Sequence, residues 1–190
     1  MKPACHGIVL ILSIAAAGLV PTLSAAVLDA GDGGFRTRNE ALIAAPPAAV
    51  WAALIEPAYW WSPRHSWSGQ AGNFSLDARA GGCFCERLAD GGSVEHQRVV
   101  HAVPNRLLRL AGGLGPLQAE AVAAVLSWEL KAEGTGTRLT QRYTVSGRVD
   151  GGLASWSAPV DGVLAEQLER LRRRIETGVA DPAAAPPGRD

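Results

Sequence analysis

The last part of the chain carries the clearest pattern of apolar and polar positions. Between residues 153 and 177, large apolar residues recur at steps of three and four, which places them on one face of an α-helix. They are Leu153, Trp156, Val160, Val163, Leu164, Leu168, Leu171 and Ile175. The opposite face is charged, Ser157 is a suitable N-cap, and Gly178 is a typical helix stop. The pattern predicts a long helix with one buried face.

Gly162 interrupts this helix. A glycine inside a helix costs about 1 kcal/mol relative to alanine, which favours a position where the backbone approaches a neighbour closely or borders empty space. Gly162 lies between Val160 and Leu164, on or near the apolar face. We therefore expect it to border a cavity between the helix and the rest of the fold.

Ahead of the helix, short stretches of alternating apolar and polar residues predict strands. The alternation is cleanest in residues 122–130 and 139–145. The other predicted strands are residues 35–45, 73–78, 83–89, 94–103 and 107–111. Sequential strands followed by one long helix predict an α+β domain, with a curved antiparallel sheet of about six to seven strands wrapped on the C-terminal helix.

Two apolar segments between the first and second predicted strands do not alternate. Residues 48–55 follow Pro46 and Pro47 and predict a short helix. Residues 58–69 (AYWWSPRHSWSG) contain four large aromatic side chains around Pro63. Because tryptophans are usually buried for packing reasons, this segment either fills the fold or lines a pocket.

The two ends of the chain differ in composition from the middle. Residues 1–26 combine Lys2, an apolar run and a small-residue site, as in a secretory signal peptide. The run is shorter than the ~20 residues that span a membrane, so we expect cleavage near Ala26, no stable membrane span afterwards, and a periplasmic or secreted protein. Residues 27–34 are expected to be a flexible lead-in to a domain at 35–178, and residues 179–190 a disordered tail.

Charge and motifs narrow the possible partners. The chain has 18 basic and 18 acidic residues, and Lys131 is the only lysine besides Lys2. A protein that binds a phosphate backbone needs a basic surplus, so we expect no nucleic-acid partner. The sequence has no motif for nucleotide, dinucleotide or zinc binding, so it predicts no cofactor and no metal. We expect a monomer or a weak dimer.

The order of the predicted elements and four phrases of the chain resemble a known superfamily. The phrases are IAAPPAAVWAALIEPAYWW, ARAGGCFCE, VVHAVPNRLLRLAGGLGPLQ and VDGVLAEQLERLRR. Together they resemble the START-like, birch-pollen-allergen-like superfamily SRPBCC, most closely its polyketide-cyclase-like and chaperone-ATPase-activator-homologue branches. The resemblance spans about residues 35–177 and implies a helix-grip fold with an apolar cavity between sheet and C-terminal helix. Members include lipid carriers, hormone receptors and aromatase/cyclases, and no catalytic motif transfers residue by residue.

The hairpin around Asp90-Gly91-Gly92 holds the first candidate chemistry. A two-residue turn at Gly91-Gly92 places Arg87 opposite His96. One face then carries Cys83, Cys85, Arg87, His96 and Arg98. The other face carries Phe84, Glu86, Leu88, Gln97, Val99 and His101. A slip of one residue would move His96 onto the face of Glu86, and the sequence does not decide between the two registers.

Each face allows a functional and a purely structural interpretation. Cys83, Cys85 and His96 could begin a metal site, but the ligand set is incomplete, and cysteines two apart in a strand lie near the outer limit for a disulfide. We therefore expect reduced, packed thiols. Glu86 in an apolar cavity would have a raised pKa and could act as a general acid or base. Alternatively, it pairs with Arg98 or Arg142 or faces solvent.

The leading hypothesis is a protein that binds a small apolar or aromatic ligand in the cavity. The expected ligand-binding residues are Trp61, His65, Trp67, Phe74, Phe84, Glu86, Trp128, Gln141, Tyr143, Val160, Gly162, Leu164 and Leu168. The first alternative is an enzyme of the cyclase/dehydratase kind, in which Glu86 and a histidine, His96 or His65, transfer protons. The second is a non-enzymatic interaction module. His65, Gln141 and Tyr143 have a structural interpretation too, as side chains that only satisfy hydrogen bonds within the protein.

Overall fold

The computed structural model describes residues 23–181, with side chains from residue 26 onward. Within this part of the chain, two α-helices and eight strands form. The helices are α1 (Pro47–Leu54) and α2 (Ser157–Thr177). The strands are β1 (Leu23–Gly31), β2 (Gly34–Ile43), β3 (Phe74–Leu76), β4 (Cys83–Arg87), β5 (Ser93–Val103), β6 (Leu107–Ala111), β7 (Ala121–Glu133) and β8 (Gly136–Arg148). No helix in the described range is long and apolar enough to cross a membrane.

The strands form one antiparallel sheet in the order β1-β2-β8-β7-β6-β5-β4-β3. Its centre is the long β7–β8 hairpin, which pairs from Ala121 and Arg148 to Glu133 and Gly136. The curved sheet wraps around α2, whose leucines Leu164, Leu168 and Leu171 are buried as their spacing predicts. The α+β helix-grip fold is therefore confirmed, with one strand more than expected.

The additional strand is β1. It includes residues 27–31 of the segment that was expected to be a flexible lead-in. It pairs with β2 from Leu23 opposite Ala41 to Gly31 opposite Gly34. The sequence LSAAVLDAG lacks the alternation of a half-buried strand, since β1 is an edge strand held by backbone pairing, and its residues 26–31 are exposed. The expectation of a lead-in at 27–34 is wrong. The predicted signal peptide lies largely outside the described residues, although Ala26 is part of β1.

Helix α2 begins slightly later than its apolar pattern predicts. Residues 154–156 form a separate 3-10 turn, so that Trp156 rather than Ser157 is the N-cap. The Ser157 hydroxyl donates to the carbonyl of Ala154 at 2.8 Å and caps no helical N–H group. Gly178, with a φ of 81°, ends the helix as expected.

The chain beyond α2 stays packed for three residues. Ala180 is buried, and Arg170 on α2 lies 3.3 Å from the carboxylate of Asp181. The prediction of a disordered tail is therefore wrong for residues 179–181. Residues 182–190 lie outside the described range.

Gly162 faces solvent instead of a cavity. It is exposed, and a methyl group added to its Cα would meet no atom within 4 Å. A residue two positions from Val160 and Leu164 is rotated about 200° around the helix axis from each, so it lies on the opposite side. The expectation that Gly162 borders the cavity is wrong.

The aromatic segment between α1 and β3 both fills the core and forms surface. Trp60 and Trp61 are buried, whereas Tyr59 and Trp67 are 60% and 55% exposed. Trp60 packs against Trp128, with ring centroids 6.0 Å apart. These rings occupy space where the sequence predicts a ligand, and they leave a void of about 20 Å³, room for about one water molecule.

Candidate functional site

Strands β4 and β5 pair in a different register from the one that a two-residue turn gives. Arg87 lies opposite Ser93 rather than His96. The turn takes residues 88–92, and Asp90 and Gly91 adopt positive φ values of 57° and 80°. The longer turn shifts the pairing of β5, and the faces assigned from a two-residue turn are wrong for His96.

This register places His96 on the inner face of the sheet, two residues after Val94, which lies opposite Glu86, and a β-bulge follows at His96. Cys85 pairs with Glu95 and Phe84 pairs with Gln97, which leaves His96 without a partner on β4. The burial pattern records the same irregularity, because His96 and Gln97 are both buried although they are consecutive. Bulges re-aim side chains in this way and are frequent next to active sites. His96 therefore shares the inner face with Glu86, as in the slipped register that the sequence left open.

Glu86 and His96 form a buried hydrogen-bonded pair. Oε2 of Glu86 lies 2.9 Å from Nε2 of His96, and the backbone N–H groups of Trp67 and Ser68 donate to the carboxylate at 3.1 and 2.6 Å. Burial acts to raise the pKa of Glu86, but the hydrogen bonds from Ser68, Trp67 and His96 outweigh it and leave the pKa below its ordinary value. The expectations of a raised pKa and of an arginine partner are both wrong.

His96 is held by aromatic packing as well as by the carboxylate. Its ring centroid is 5.0 Å from that of Phe74 and 5.2 Å from that of Phe84. Burial lowers the pKa of His96 below its ordinary value, despite the opposing effect of Glu86. The hydrogen bond to Glu86 and the two flanking phenyl rings fix the imidazole in one orientation.

A cavity of about 360 Å³ lies beside this pair, within the range of roughly 300–1,000 Å³ of small-molecule sites. Helix α2 and the turn before it contribute Trp156, Pro159, Val160, Val163 and Leu164. The aromatic segment contributes Trp61, Arg64, His65, Ser66 and Trp67. The loop before β7 contributes Leu114, Gly115 and Pro116, and β5 contributes His96. The walls are mainly apolar, with polar groups at a few positions.

The rim of the cavity carries a second carboxylate–histidine pair. Nε2 of His65 lies 3.0 Å from Oε2 of Glu166, and Arg64 donates to Oε1 at 2.8 Å. Burial acts to raise the pKa of Glu166, but hydrogen bonds from Arg64, His65 and Ser62 outweigh it and lower the pKa to about 2. His65 thus has a carboxylate partner 101 positions away, which the local sequence does not reveal.

Tyr143 and Gly112 position the loop that forms the third wall. The Tyr143 hydroxyl accepts from the N–H of Leu114 at 2.9 Å and donates to the carbonyl of Gly112 at 3.3 Å. Burial raises the pKa of Tyr143. Gly112 has a φ of 138°, and a Cβ there would lie 3.1 Å from the carbonyl oxygen of His96. Glycine therefore allows the loop to approach the bulge closely.

The structure brings five of the thirteen expected ligand-binding residues to the cavity. Those that line it are Trp61, His65, Trp67, Val160 and Leu164, together with the catalytic candidate His96. Those that do not line it are Phe74, Phe84, Glu86, Trp128, Gln141, Tyr143, Gly162 and Leu168. Most of the second group form the packed core beneath the cavity, and Gln141 accepts a hydrogen bond from Asn39 at 3.1 Å. Contact with a ligand stays a prediction for the first group.

Cys83 and Cys85 are joined by a disulfide, so the expectation of reduced thiols is wrong. Their Cα atoms are 5.4 Å apart, closer than the ~6.6 Å of alternate residues in an extended strand. The bond lies beside the bulge, where the ladder bends. Among the residues that the structure describes, no group of three or more His, Cys, Asp or Glu side chains could hold a metal ion.

Solved structures with this fold come from several sources. A conserved protein of unknown function, EF2215 from Enterococcus faecalis, is similar with a TM-score of 0.57 and 14% identity, over 87% of this chain and 82% of that chain. CalU16 from Micromonospora echinospora gives 0.56 and 18%, over 86% and 88%. DynU16 from the dynemicin biosynthetic locus gives 0.55 and 24%, over 76% of this chain and 48% of that chain. At these identities the likeness concerns the fold alone.

A family model extends the comparison from fold to family. No curated protein matches this chain. The model described as polyketide cyclase / dehydrase and lipid transport, however, matches residues 35–176. The matched range runs from β2 nearly to the end of α2 and contains both carboxylate–histidine pairs and every wall of the cavity. The resemblance to a polyketide-cyclase-like branch is confirmed, and the chain belongs to the polyketide cyclase/dehydrase and lipid transport family.

Proposed function

We propose that this protein binds a small apolar or aromatic molecule in the cavity between α2, the aromatic segment and β5. The observation that carries the proposal is the cavity itself, with a volume of about 360 Å³. Apolar concave sites with a few converging polar groups are the usual form of a small-molecule site. The family description, which names cyclases, dehydrases and lipid transport, supports the same class of function.

The walls favour a flat, ring-containing ligand. Trp61, Trp67 and Trp156 supply three indole rings to one cavity, and aromatic pairs gain about 0.5–1.5 kcal/mol beyond the burial of their area. Trp67 is 55% exposed, so a bound ring would remove much of its apolar surface from water. Val160 and Val163 line the cavity from α2.

A cavity-filling variant tests the proposal. Val163→Trp places a bulky ring in the cavity, whereas Val100→Trp adds the same ring on the outer face of β5, where Val100 is 49% exposed. Isothermal titration calorimetry with naphthalene should give saturable binding for the wild type and for Val100→Trp, and none for Val163→Trp. Equal binding by the two variants, or no binding by the wild type, would contradict the proposal.

A second function, an enzyme of the cyclase/dehydratase kind, is favoured by the Glu86–His96 pair. A histidine that is oriented by a buried carboxylate is suited to act as a general base, with the carboxylate stabilising the imidazolium that forms. His96 would take a proton from the bound molecule, and Glu86 would act through His96 as a positioning residue.

Hydrogen–deuterium exchange next to the carbonyl of 2-tetralone tests whether His96 acts as this base. The wild type should accelerate the exchange over His96→Gln, and equal rates would exclude His96 as the base.

We also infer that the protein is exported, from the signal-like composition of residues 1–26. Its partner would be a small molecule and not a nucleic acid, because the net charge is zero. We propose a monomer or a weak dimer. Mass spectrometry of the protein from a periplasmic fraction should give an N-terminus near Ala26, and an intact Met1 would contradict cleavage.

A further inference from the structure

We propose that His96 determines the specificity of the cavity, because its Nδ1 accepts a hydrogen bond from the ligand and so selects hydroxylated aromatic molecules over the same rings without a hydroxyl. The inference rests on the proposed binding function. It adds a chemical class, the phenols, and a residue that recognises it. The two ring nitrogens of His96 differ in whether a protein group pairs with them.

The first ring nitrogen, Nε2, is occupied by Glu86. The two atoms that meet are Nε2 and Oε2, 2.9 Å apart. The same carboxylate accepts the N–H groups of Trp67 and Ser68 at 3.1 and 2.6 Å, and an ionised carboxylate can only accept. The lowered pKa of Glu86 agrees with this ionised form. The hydrogen between the two side chains therefore belongs to Nε2.

The second ring nitrogen, Nδ1, is an acceptor that receives no hydrogen bond from residues 26–181. In a neutral imidazole with a hydrogen on Nε2, Nδ1 carries a lone pair, and the lowered pKa of His96 agrees with the neutral form. Within residues 26–181, the hydrogen bond to Glu86 is the one that the His96 ring makes. Nδ1 is also not among the fully buried polar atoms that lack a partner in this range, so it keeps accessible surface. The space that His96 lines is the cavity.

The ring cannot turn to present a different atom. Phe74 and Phe84 pack against it at 5.0 and 5.2 Å, and a rotated ring would break the bond to Glu86. A buried carboxylate that loses a partner is unfavourable. The acceptor is therefore fixed in place before a ligand arrives, which reduces the entropy lost on binding.

A phenol matches this arrangement best. Its ring suits the indole walls, and its O–H is a donor that pairs with a basic nitrogen. The negative charge of Glu86 behind the imidazole strengthens Nδ1 as an acceptor, as a carboxylate does for the histidine of a catalytic triad. A ligand that covers Nδ1 without donating to it would leave a desolvated, unpaired acceptor, which is unfavourable. Selectivity therefore comes from both the bond that is made and the penalty when it is missing.

Three matched probes separate this inference from the binding function on which it rests. Calorimetric titrations of the full-length wild type would use naphthalene, 2-methoxynaphthalene and 2-naphthol. We expect all three to bind and 2-naphthol to bind about tenfold tighter, as one hydrogen bond to a desolvated acceptor allows. Equal affinities would overturn the role of His96 while leaving the binding function intact. Failure of all three to bind would overturn both.

A variant assigns the preference to His96. His96→Phe keeps a ring of similar size and removes the acceptor, so the affinity for 2-naphthol should fall about tenfold, to that for naphthalene. His101→Phe, on the exposed part of the same strand, is the control and should keep the preference. A preference that survives in folded His96→Phe would contradict the proposal.

A measurement on the wild type covers the case in which His96→Phe does not fold. The ¹⁵N resonance of His96 Nδ1 should have the position of an unprotonated ring nitrogen in the free protein. It should move on addition of 2-naphthol and stay in place on addition of naphthalene. A protonated Nδ1 in the free protein, or an unchanged resonance with saturating 2-naphthol, would overturn the proposal.

Discussion

Two carboxylate–histidine pairs lie beside the same cavity, each with its histidine in the wall. They differ in burial and in the groups that donate to the carboxylate. Glu86 and His96 lie 2.9 Å apart with side chains 0% and 5% exposed. Glu166 and His65 lie 3.0 Å apart with side chains 26% and 31% exposed. The buried carboxylate receives backbone N–H groups, whereas the rim carboxylate receives Arg64.

This difference in surroundings separates two roles. Exposed ion pairs contribute about 0–1 kcal/mol to stability, and the rim pair mainly ties residues 64 and 65 to helix α2. Removing one member of a buried pair costs about 3–5 kcal/mol, because it leaves the other member without a partner. In the proposed recognition of a phenol, the buried pair also holds the acceptor Nδ1 in place. The same two residue types therefore fasten a loop at the rim and, in the proposed function, would present an acceptor to the ligand.

The largest effect should come from removing each carboxylate in turn. Glu86→Ala should lower the free energy of unfolding by about 3–5 kcal/mol, since it removes the acceptor of two backbone N–H groups and the partner of His96. Glu166→Ala should lower it by about 1 kcal/mol or less. Urea unfolding measures both. Similar losses for the two variants would show that burial does not distinguish the pairs.

A smaller effect should appear in the pH dependence of stability. The folded pKa of His96 lies below that of an unfolded histidine, near 6.5, so the unfolded chain binds more protons and stability falls as the pH drops below 6.5. Glu166, with a folded pKa of about 2 against an ordinary value of 4.5, contributes stability above pH 4.5 that is lost as the pH falls toward 2.

Unfolding curves of variants separate the two pH ranges. The stability difference between wild type and His96→Phe should begin to shrink below pH 6.5, whereas the difference between wild type and Glu166→Gln should shrink only below pH 4.5. If both differences changed over the same range, the buried histidine would not be neutral as described.

The smallest effect concerns the helix that carries Glu166. Gly162→Ala should raise the free energy of unfolding by about 0.5–1 kcal/mol, because Gly162 is a helix-interior residue with open space beside it. Naphthalene binding should not change, since Gly162 is not part of the cavity wall. Gly178→Ala is the matched control and should destabilise, because Gly178 has a φ of 81°. A loss of naphthalene binding in Gly162→Ala would contradict the placement of Gly162 outside the cavity wall.

The fold was predictable because it depends on patterns within single elements. The period of α2 and the alternation in β7 and β8 are local, and each indicates its element and buried face without knowledge of the partner. β1 was not predictable, because an exposed edge strand is held by backbone hydrogen bonds to β2, and its side chains carry no alternation.

The site was predictable only for the smaller part of its residues, because it depends on register and on distant partners. The position of His96 on the inner face follows from the length of the turn before β5, which sequence spacing left undecided. His65 meets Glu166 across 101 positions. Phe84 and Trp128 are aromatic residues of the type that often lines cavities. They fill the core instead, because neighbouring aromatic rings pack against them.

A crystal structure of the protein with 2-naphthol would test the central claim most directly. The naphthyl ring should lie among Trp61, Trp67 and Trp156, with its hydroxyl oxygen at about 2.7–3.2 Å from Nδ1 of His96. The Glu86–His96 bond should remain as in the free protein. A cavity that stays empty at saturating 2-naphthol, or a hydroxyl that points away from His96, would contradict the claim.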